Sequence, residues 1–580
     1  MKLAHLLLAA AMLAASAAGA DDLTGLWKAK RNFGPDARGT LVMQRTAAGW
    51  TADLAGYSVP VRADRTRLSF ALPGGAGAFS GRVSGETIRG HWITPNSMVN
   101  GSKYAVPVTL TRDRPDRWRG TVAPRDDTFT LFLEIDGDKA FLRNPERNFG
   151  VQANVERIVV DGNNVRLVGK RNGRGEEQDL ATGIYRPDDK VLTLWIRGGS
   201  YDFRRDGGEN GFYARGRTPE RYTYRPPLAR DDGWPVATLA EEHISKEGIE
   251  RLVQSILDTP IDSVHAPIVE GVLIARHGRL VLEEYFHGEH RDKLHETRSA
   301  GKSVTAMFAG AAMQAGAPLS LSTRVYQPSQ DLDPRKRAMT LEHLLMMRGG
   351  FFCDDSNPDA PGNEETILEQ EKEPDYYRYS LAVPQATAPD TQTVYCSMMA
   401  NLALGVTGRA VGGDPLDAFD RLLARPLKIS TYAWPLDPAG NPYGGGGVQF
   451  LPRDFLKFGQ LLVNGGTWNG QRIVGRDFAR HASSPLHDYN GIQYGYLWWN
   501  IEYPFEGRTV RAAFASGNGG QTVMAIPALD LVVAIFAGNY ADRAPAVHVQ
   551  QELVPDFILP SVDAKGPVVV RDFQSPYGRH

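Results

Sequence analysis

Cysteine is nearly missing from this chain of 580 residues, which contains only two. So low a number excludes a disulfide-rich scaffold and any metal cluster built on several thiolates. A surplus of charge of one sign is also missing, because 65 Lys and Arg residues face 67 Asp and Glu residues. Without a basic surplus there is no strong positive field to hold the phosphates of a nucleic acid. The sequence therefore predicts no nucleic-acid partner.

Long apolar runs are confined to the N-terminus. Met1 and Lys2 precede a run of Ala, Leu and Met from Leu6 to Ala17, and Ala18-Gly19-Ala20 offers small residues for cleavage. The run is shorter than the roughly twenty residues that span a membrane, so it favours a secretory signal peptide over a buried or spanning helix. We place this signal peptide at residues 1–20 and expect a periplasmic or secreted protein without a membrane span.

The remaining composition is that of a folded protein, with 42% apolar, 9% aromatic and 23% charged residues. From residue 21 to 226, short alternating or apolar runs are separated by turn dipeptides such as Asp136-Gly137 and Asp161-Gly162, a pattern typical of strands joined by hairpins. We interpret residues 21–226 as a β-rich accessory domain of one or two β units. This segment contains no residues at metal-ligand spacing and no phosphate-binding loop. Binding of the cell wall or of a saccharide by this domain is an open alternative.

The second half changes character after a polar, Pro-bearing linker at residues 227–240. An amphipathic helix with Ser245 as its cap is followed by a hairpin around His277-Gly278, then by helical segments, and strands return near residues 510–536. Strands at both ends with helices between them predict one sheet closed by N- and C-terminal strands. We expect an α+β domain over residues 241–560 and a C-terminal tail over residues 561–580.

The two cysteines are Cys353 and Cys396. An even number in an exported chain favours a disulfide between them, whereas the alternative is two buried, unpaired side chains. The bridge would close a loop of about 40 residues and stabilise the fold by a few kcal/mol in a chain-entropy treatment.

Candidate chemistry begins at Ser299-Ala300-Gly301-Lys302. A serine and a lysine three residues apart in the first turn of a helix lie on one face, so the amine can take the hydroxyl proton. The positive end of the helix is expected to lower the lysine pKa. The alternative is a helix cap with a solvated lysine. Gly301-Lys302-Ser303 is not a phosphate loop, because Glu296 stands where that motif needs glycine.

Further segments in the same order resemble the serine β-lactamase and penicillin-binding-protein superfamily, on the branch of class C β-lactamases and related esterases and amidases. The similarity spans about residues 233–558 and includes the 6-aminohexanoate-dimer hydrolase-like group. After Ser299–Lys302, the segments that carry it are Met339–Leu345 with Gly349-Gly350, Tyr395-Cys396-Ser397, Tyr494–Trp499 and Ala515-Ser516-Gly517-Asn518. The resemblance implies an antiparallel sheet flanked by helices and a site that uses no metal or other cofactor.

The resemblance also implies roles for individual residues. Ser299 would attack a carbonyl to form an acyl-enzyme, while Lys302 and the Tyr395 phenol transfer its proton, for which both need lowered pKa values. The backbone N–H groups of Ser299 and Asn518 would bind the oxyanion. Ser397 would hydrogen-bond Lys302, and the remaining substrate-binding residues of the third motif would be Ser516 and Gly517.

Two departures from the superfamily pattern bear on the substrate. Ala515 stands where a lysine receives a substrate carboxylate, and Ser397 stands where many β-lactamases have asparagine. Both favour an ester or linear amide, as a small molecule or a short peptide-like compound. The alternatives are a penicillin-recognising D-Ala-D-Ala peptidase or β-lactamase, and a non-catalytic homologue that binds a wall component or a partner.

Three other patterns in the sequence predict no further catalytic motif or metal site. The histidines before Ser299 have no metal-site spacing and predict a solvated polar loop; they are His287, His290 and His295, with Glu289, Asp292 and Glu296 nearby. The glycine run 444–447 is expected to be a flexible stretch. The alternative is that it lines the cleft of the active site. No G-x-S-x-G motif exists, which argues against an α/β-hydrolase.

Overall fold

The computed structural model describes residues 20–196, 198–205, 209–327, 333–547 and 551–563. The predicted signal peptide, apart from its last residue, and most of the predicted tail lie outside these ranges. The contacts divide the chain into two compact units. The smaller unit comprises the chain up to Arg31 with Phe129–Phe212 and Asp262–Val264, and the larger comprises Asn32–Thr128, Tyr213–Ile261 and the chain from His265 onwards.

Strands fill the N-terminal β-rich segment and return in the second half. Their bounds are β1 Gly25–Gly34, β2 Gly39–Thr46, β3 Gly49–Leu54, β4 Tyr57–Asp64, β5 Arg67–Ala71, β6 Ala78–Ser84, β7 Thr87–Ile93, β8 Lys103–Arg114, β9 Arg117–Val122, β10 Asp127–Asp136, β11 Lys139–Arg143, β12 Val155–Asp161, β13 Asn164–Gly169, β14 Gln178–Arg186, β15 Val191–Ile196, β16 Gly199–Phe203, β17 Val269–Arg276, β18 Arg279–Tyr285, β19 His295–Glu296, β20 Tyr432–Leu436, β21 Gln449–Phe450, β22 Thr467–Trp468, β23 Gln471–Arg472, β24 His487–Tyr489, β25 Ile492–Tyr494, β26 Trp499–Phe505, β27 Arg508–Gly517, β28 Gln521–Ile526 and β29 Leu531–Ala537.

Helices belong mainly to the second half of the chain. Their bounds are α1 Ala20–Leu23, α2 Phe149–Ala153, α3 Glu209–Phe212, α4 Lys246–Leu257, α5 Gly301–Gln314, α6 Pro334–Ala338, α7 Leu341–Leu345, α8 Glu364–Glu369, α9 Tyr376–Ala382, α10 Ser397–Val411, α11 Pro415–Phe419, α12 Pro452–Val463, α13 Arg476–Ala482, α14 Arg543–Val547 and α15 Leu559–Ser561. Within the described ranges, no helix combines the length and apolar character needed to cross a membrane.

The smaller unit is built on an antiparallel sheet in the order β1-β10-β11-β12-β13-β14-β15-β16. Lys28 and Arg204 exchange backbone hydrogen bonds of 2.8 and 2.9 Å, which bring the two edges of this sheet together. The two turn dipeptides named above join β10 to β11 and β12 to β13. The hairpins predicted from these dipeptides are therefore confirmed.

The larger unit contains a second β structure, formed by β2–β9. Each strand pairs with the next, and β9 pairs with both β2 and β8, so the sheet closes into a barrel. Strand β8 has a further neighbour, β20, which continues through β21 to β19. The barrel thus shares a hydrogen-bonded sheet with the second half of the chain. Residues 32–128 therefore group with that half, across the predicted domain limits.

A third sheet has the order β18-β17-β29-β28-β27-β26-β25-β24. The strands from the start and the end of the predicted α+β domain are neighbours, which confirms the sequence prediction for this sheet. Alternate residues of β17 face two cores: Leu273 packs with the residues around α5, and Val272 with those around α4. Because helices cover both faces, the central strand β29 is apolar throughout.

Two helices illustrate how the sequence determines this layer. Helix α5 is buried from Gly301 to Ala312, because its residues other than Lys302 are small or apolar all round and it occupies the centre of the domain. Helix α4 begins after Ser245, whose side chain accepts a hydrogen bond from the Gly248 N–H at 3.2 Å. The predicted amphipathic helix and its cap are therefore confirmed.

Candidate active site

Ser299 lies between a short strand and a buried helix. Strand β19 ends at Glu296, a 3₁₀ turn covers Arg298–Ala300, and α5 follows. The turn leaves Ser299 half-exposed, whereas Lys302 is buried. The Lys302 ammonium Nζ donates a hydrogen bond of 2.9 Å to Ser299 Oγ. The spacing of three residues therefore brings the two side chains together, as expected from the sequence.

Two glycines hold the turn that carries Ser299. A Cβ built on Gly446 would lie 2.6 Å from the Arg298 carbonyl oxygen and 3.2 Å from Ser299 Cα. A Cβ built on Gly517 would lie 2.2 Å from the Thr297 carbonyl oxygen. Residues 444–446 are buried, so the expectation that the glycine run is a flexible stretch was wrong. Its lack of side chains lets the backbone pack directly behind Ser299.

Tyr395 forms part of an aromatic wall beside Lys302. Its ring stacks on Trp499 at 5.5 Å between centroids and lies 6.4 Å from Tyr489. Lys302 Nζ is 5.0 Å from the centre of the Tyr395 ring. Ser299, Lys302 and Tyr395 are thus brought into one site.

The pKa of Lys302 departs from expectation. Burial alone would lower it, but the charges of Tyr395, Glu364 and Asp355 outweigh burial and raise the pKa above its ordinary value. The predicted lowering at the helix N-terminus was therefore wrong. Lys302 is an ammonium group at neutral pH, because the surrounding acidic groups favour its charged form.

Asp355 fixes the segment that carries Tyr395. Its backbone N–H donates to the Tyr395 carbonyl oxygen at 3.1 Å. Its carboxylate Oδ2 accepts from the Ser397 N–H at 2.8 Å and from Ser397 Oγ at 2.6 Å. Ser397 therefore donates to Asp355 rather than to Lys302, which corrects the expectation for Ser397.

The predicted disulfide reinforces the same connection. Cys353 and Cys396 are bonded, with their Cα atoms 5.9 Å apart, and both are buried. Cys396 directly follows Tyr395, and Cys353 lies two residues before Asp355. The disulfide therefore ties together the two loop segments that hold the Tyr395 backbone.

Glu364 is a second carboxylate that sequence reasoning missed. Tyr443 donates its phenol O–H to Glu364 Oε1 at 2.7 Å, and the Glu364 N–H donates to Asp355 Oδ1 at 3.2 Å. Burial and the charge of Glu364 raise the pKa of Asp355, against the opposing charge of Lys302. The sequence offered no signal for this pair, since neither acid belongs to a motif; Asp355 lies in a loop and Glu364 is the first residue of α8.

The third predicted motif lies at the end of β27. Ser516 pairs with Thr522 and Gly517 with Gln521 across the ladder to β28. The side chain of Asn518 accepts a hydrogen bond from the Ala541 N–H at 2.8 Å. Within the described ranges, the backbone N–H groups of Ser299 and Asn518 have no acceptor.

The histidines before Ser299 do not form the solvated loop that was expected. His287 and His295 are buried, and only His290 is exposed. His295 Nε2 lies 2.7 Å from Gln521 Oε1, and burial lowers the pKa of His295 to about 4. Among the described residues, no group of three His, Cys, Asp or Glu side chains could hold a metal ion.

This combination of a helix–sheet–helix domain with Ser299, Lys302 and Tyr395 in one cleft defines a domain of the serine β-lactamase fold. Residues 261–549 match the Beta-lactamase family. The matched part of the chain belongs to the superfamily of serine β-lactamases and penicillin-binding proteins, whose members are serine hydrolases that act on small molecules. The resemblance noted in the sequence is confirmed.

Similar solved structures were also found. A candidate 6-aminohexanoate-dimer hydrolase from Bacillus anthracis is 18% identical, over 56% of this chain and 86% of that protein, with a TM-score of 0.45. A candidate β-lactamase from Bacteroides dorei is 16% identical, over 54% and 99%, with a TM-score of 0.43. A penicillin-binding protein homologue from Caulobacter crescentus is 14% identical, over 52% and 95%, with a TM-score of 0.40. A search of curated proteins returned no match.

Proposed function

We propose that the protein hydrolyses an ester or amide through an acyl-enzyme formed on Ser299. The observation that supports this most strongly is the 2.9 Å hydrogen bond between Lys302 Nζ and Ser299 Oγ. It joins a half-exposed hydroxyl to a buried charged group beside an aromatic cleft. A structural serine would have no use for a buried cation, because burying a charge carries a large desolvation cost.

The charge of Lys302 determines how the proton moves. An ammonium group cannot accept the Ser299 proton, so the acceptor is the neighbouring Tyr395 oxygen. In the proposed step the Ser299 O–H bond breaks, Oγ bonds to the substrate carbonyl carbon, and Tyr395 relays the proton: its oxygen takes the Ser299 proton as its own phenol proton passes to the leaving group. Lys302 keeps its proton and orients Oγ.

The remaining steps use the backbone donors. The carbonyl π electrons move to oxygen, which the N–H groups of Ser299 and Asn518 then hold. When the tetrahedral intermediate collapses, the bond to the leaving group breaks and that group departs with the proton it received from Tyr395. Water then attacks the acyl-enzyme by the reverse sequence and releases Ser299.

Intact-protein mass spectrometry with an alkyl fluorophosphonate tests the nucleophile. We expect one adduct on the wild-type protein, no adduct on Ser299→Ala, and an unchanged adduct on Ser322→Ala, a control at an exposed serine. A folded wild-type protein that the probe does not modify would refute the proposal and favour a non-catalytic binding role.

Substrate assays follow from a positive result. Short-chain esters and linear amides are the expected substrates, because Ala515 supplies no cation to the third motif. Preferential hydrolysis of β-lactams or D-Ala-D-Ala peptides, with esters inert, would instead identify a penicillin-recognising enzyme.

We infer that the protein works outside the cytosol. The apolar run after Lys2 supports this inference, and so does the buried Cys353–Cys396 disulfide, since such bonds persist in oxidising compartments. N-terminal sequencing of protein from a periplasmic extract and from the medium should show a mature chain that begins at Asp21. An unprocessed chain that stays in the cytosol would refute the inference.

A further inference from the structure

A cavity of about 770 Å³ lies within the larger unit, beside the outer face of the β2–β9 barrel. One wall includes residues of β6, β7 and β8, and the other includes residues of α11 and of the segment 420–430. The residues that line it are distinct from those of the candidate active site. Pockets that bind small molecules have volumes of this order. The cavity is therefore a candidate for a second binding site.

The barrel wall of this cavity places two arginines directly opposite each other. Arg82 in β6 pairs with Arg89 in β7, and Arg89 pairs with Thr109 in β8. Arg82 forms an ion pair with Asp417, 3.3 Å from Nε to Oδ2. Among the described residues, the Arg89 side chain has no hydrogen bond or ion pair. Like charges directly opposite each other destabilise a sheet, and an anion bound in the cavity would relieve this repulsion.

The charges around the cavity are unequally matched. Its aspartates each form an ion pair with an arginine or a lysine, and they are Asp231, Asp414, Asp417 and Asp420. Arg421, which is exposed on the wall opposite Arg89, has no side-chain hydrogen bond or ion pair within the described part of the chain. The two unmatched charges in the lining are thus both guanidinium groups. This imbalance indicates an anionic ligand.

A buried histidine lines the same cavity. His91 is only 4% exposed, and its Nε2 forms a hydrogen bond of 2.8 Å with the Tyr432 hydroxyl. Its Nδ1 lies 3.9 Å from Asp417 Oδ1, which is too far for a hydrogen bond. No other described residue provides Nδ1 with a hydrogen-bond partner. A buried polar atom without a partner is uncommon in a folded protein, so Nδ1 is a further position for a polar group of the ligand.

We propose that this cavity binds a small hydroxylated carboxylic acid, such as a sugar acid, and that Arg89 and Arg421 hold its carboxylate. A guanidinium group matches a planar carboxylate with parallel N–H donors. The aspartates in the lining disfavour a ligand with several negative charges, but their remaining lone pairs accept hydrogen bonds from hydroxyl groups. Thr109 and His91 supply further polar atoms beside Arg89. The inference is independent of the proposed function, because it concerns a separate set of residues.

Equilibrium dialysis with radiolabelled D-glucuronate tests this site in the purified protein. D-Glucose keeps the hydroxyl groups without the charge, acetate keeps the carboxylate alone, and inorganic phosphate is a different anion. We expect unlabelled D-glucuronate to displace the probe at a concentration at least tenfold lower than any of these three competitors. Arg89→Gln and Arg421→Gln should each weaken D-glucuronate binding by about tenfold or more, as expected for a lost hydrogen bond to a charged group.

Two further variants serve as controls. Arg62→Gln changes an exposed arginine on β4 of the same barrel, outside the cavity, and should bind D-glucuronate like the wild-type protein. Ser299→Ala should also bind it like wild type, whether or not Ser299 is a nucleophile. Urea unfolding should show that Arg89→Gln is at least as stable as wild type, because the substitution removes the like charge opposite Arg82.

Several outcomes would overturn the inference. These are no binding of D-glucuronate, equally effective displacement by D-glucose, acetate or phosphate, and unchanged binding by folded Arg89→Gln and Arg421→Gln variants. Weaker binding by Ser299→Ala would also overturn it, since the ligand would then occupy the cleft of Ser299. Failure of the fluorophosphonate to label Ser299 would refute the proposed function and leave these binding results unchanged.

Discussion

The charge on Lys302 assigns different tasks to the residues around Ser299. A raised pKa keeps the lysine charged at neutral pH, so in the proposed mechanism the proton acceptor is an oxygen. Tyr395 is the side chain in contact with Lys302 that can supply one. The site therefore depends on an acidic surrounding, provided by Asp355 and Glu364, that no motif in the sequence describes.

Tyr395→Phe tests this assignment. Removing the phenol oxygen should lower kcat by about 10²- to 10⁴-fold, the usual contribution of a proton-transfer group, with a small change in KM. Tyr503→Phe, at a buried tyrosine on β26 whose hydroxyl lies 3.9 Å from Met524 Sδ, should keep full activity. Steady-state kinetics with one activated ester provides the measurement. A Tyr395→Phe variant with wild-type kcat would show that another group accepts the proton.

Gly446→Ala tests the packing behind Ser299. The added methyl would lie 2.6 Å from the Arg298 carbonyl oxygen, at a backbone φ of +141°, so the turn must move. We expect at least a tenfold loss of the fluorophosphonate labelling rate. Gly440→Ala also has a positive φ, +93°, but its methyl meets nothing within 4 Å. It should keep the labelling rate and lose stability through backbone strain alone. Equal labelling of both variants would contradict this role for Gly446.

At the level of elements, the loop around residues 353–355 is joined to the start of α10 by a disulfide and by three hydrogen bonds of Asp355. These connections enclose Tyr395 on both sides. They explain how a side chain on an irregular segment can be held with the precision that proton transfer requires.

The double variant Cys353→Ser and Cys396→Ser measures this connection. Closing a loop with a sequence separation of 43 residues is worth about 4 kcal/mol in a chain-entropy treatment. The free energy of unfolding should fall by up to that amount. The kcat should also fall several-fold at a temperature where the variant is folded, because Tyr395 is less restrained. Urea unfolding and steady-state kinetics measure the two effects. Lost stability with an unchanged kcat would show that the disulfide does not position Tyr395.

Contacts between site residues that are close in the sequence could be predicted, whereas contacts between residues far apart in the sequence could not. Ser299 and Lys302 are related by one helical turn, so their contact followed from local geometry, and two cysteines in a chain allow one intramolecular bridge. Asp355 and Gly446 reach the site through long-range pairing, and nothing in their local sequence indicates that. The glycine run was misread because flexible and tightly packed glycines have the same local pattern.

The fold was predicted best where periodicity is local. The hairpins, the capped helix α4 and the central sheet followed from alternation, turn dipeptides and helical spacing. The pairing of β8 with β20 did not, because β20 is a short apolar segment that fits many partners and lies far from β8 in the chain. This pairing changes the meaning of the β-rich segment, since part of it belongs to the unit that contains Ser299.

At the level of the whole molecule, buried histidines make stability depend on pH. Burial lowers the pKa of His91 from 6.5 to about 4, against the opposing charge of Asp414, and burial also lowers the pKa values of His295 and His487 to about 4. Between pH 4 and pH 6.5 these histidines bind more protons in the unfolded chain than in the folded chain. The contribution of each neutral histidine to the free energy of unfolding is therefore complete above pH 6.5. As the pH falls towards 4, up to about 3 kcal/mol is lost for each group.

His91→Gln tests this dependence, because an amide can keep the hydrogen bond to the Tyr432 hydroxyl, which is 2.8 Å in the native protein. The free energy of unfolding should fall less in the variant than in wild type between pH 7 and pH 4.5. Urea unfolding at several pH values measures the difference. Parallel curves for the two proteins would show that folding does not lower the pKa of His91.

Removal of residues 1–226 tests the shared sheet. The truncated chain would expose the edge of β20 that pairs with β8, and an unpaired edge next to buried apolar residues promotes association. We expect an aggregated, inactive fragment, whereas the chain from Asp21 should be soluble. Gel filtration and fluorophosphonate labelling distinguish the outcomes. A monomeric, labelled fragment would show that the barrel is dispensable for folding.

The pairing of β8 with β20 also sets an order of events during synthesis. The barrel strand is made long before the chain reaches residue 432, so a finished edge is available when β20 emerges. The barrel then serves as an internal template for the strands that lead to Ser299. A mutation that delays barrel folding should therefore become visible as misfolding of the half that contains Ser299, far from the altered residue.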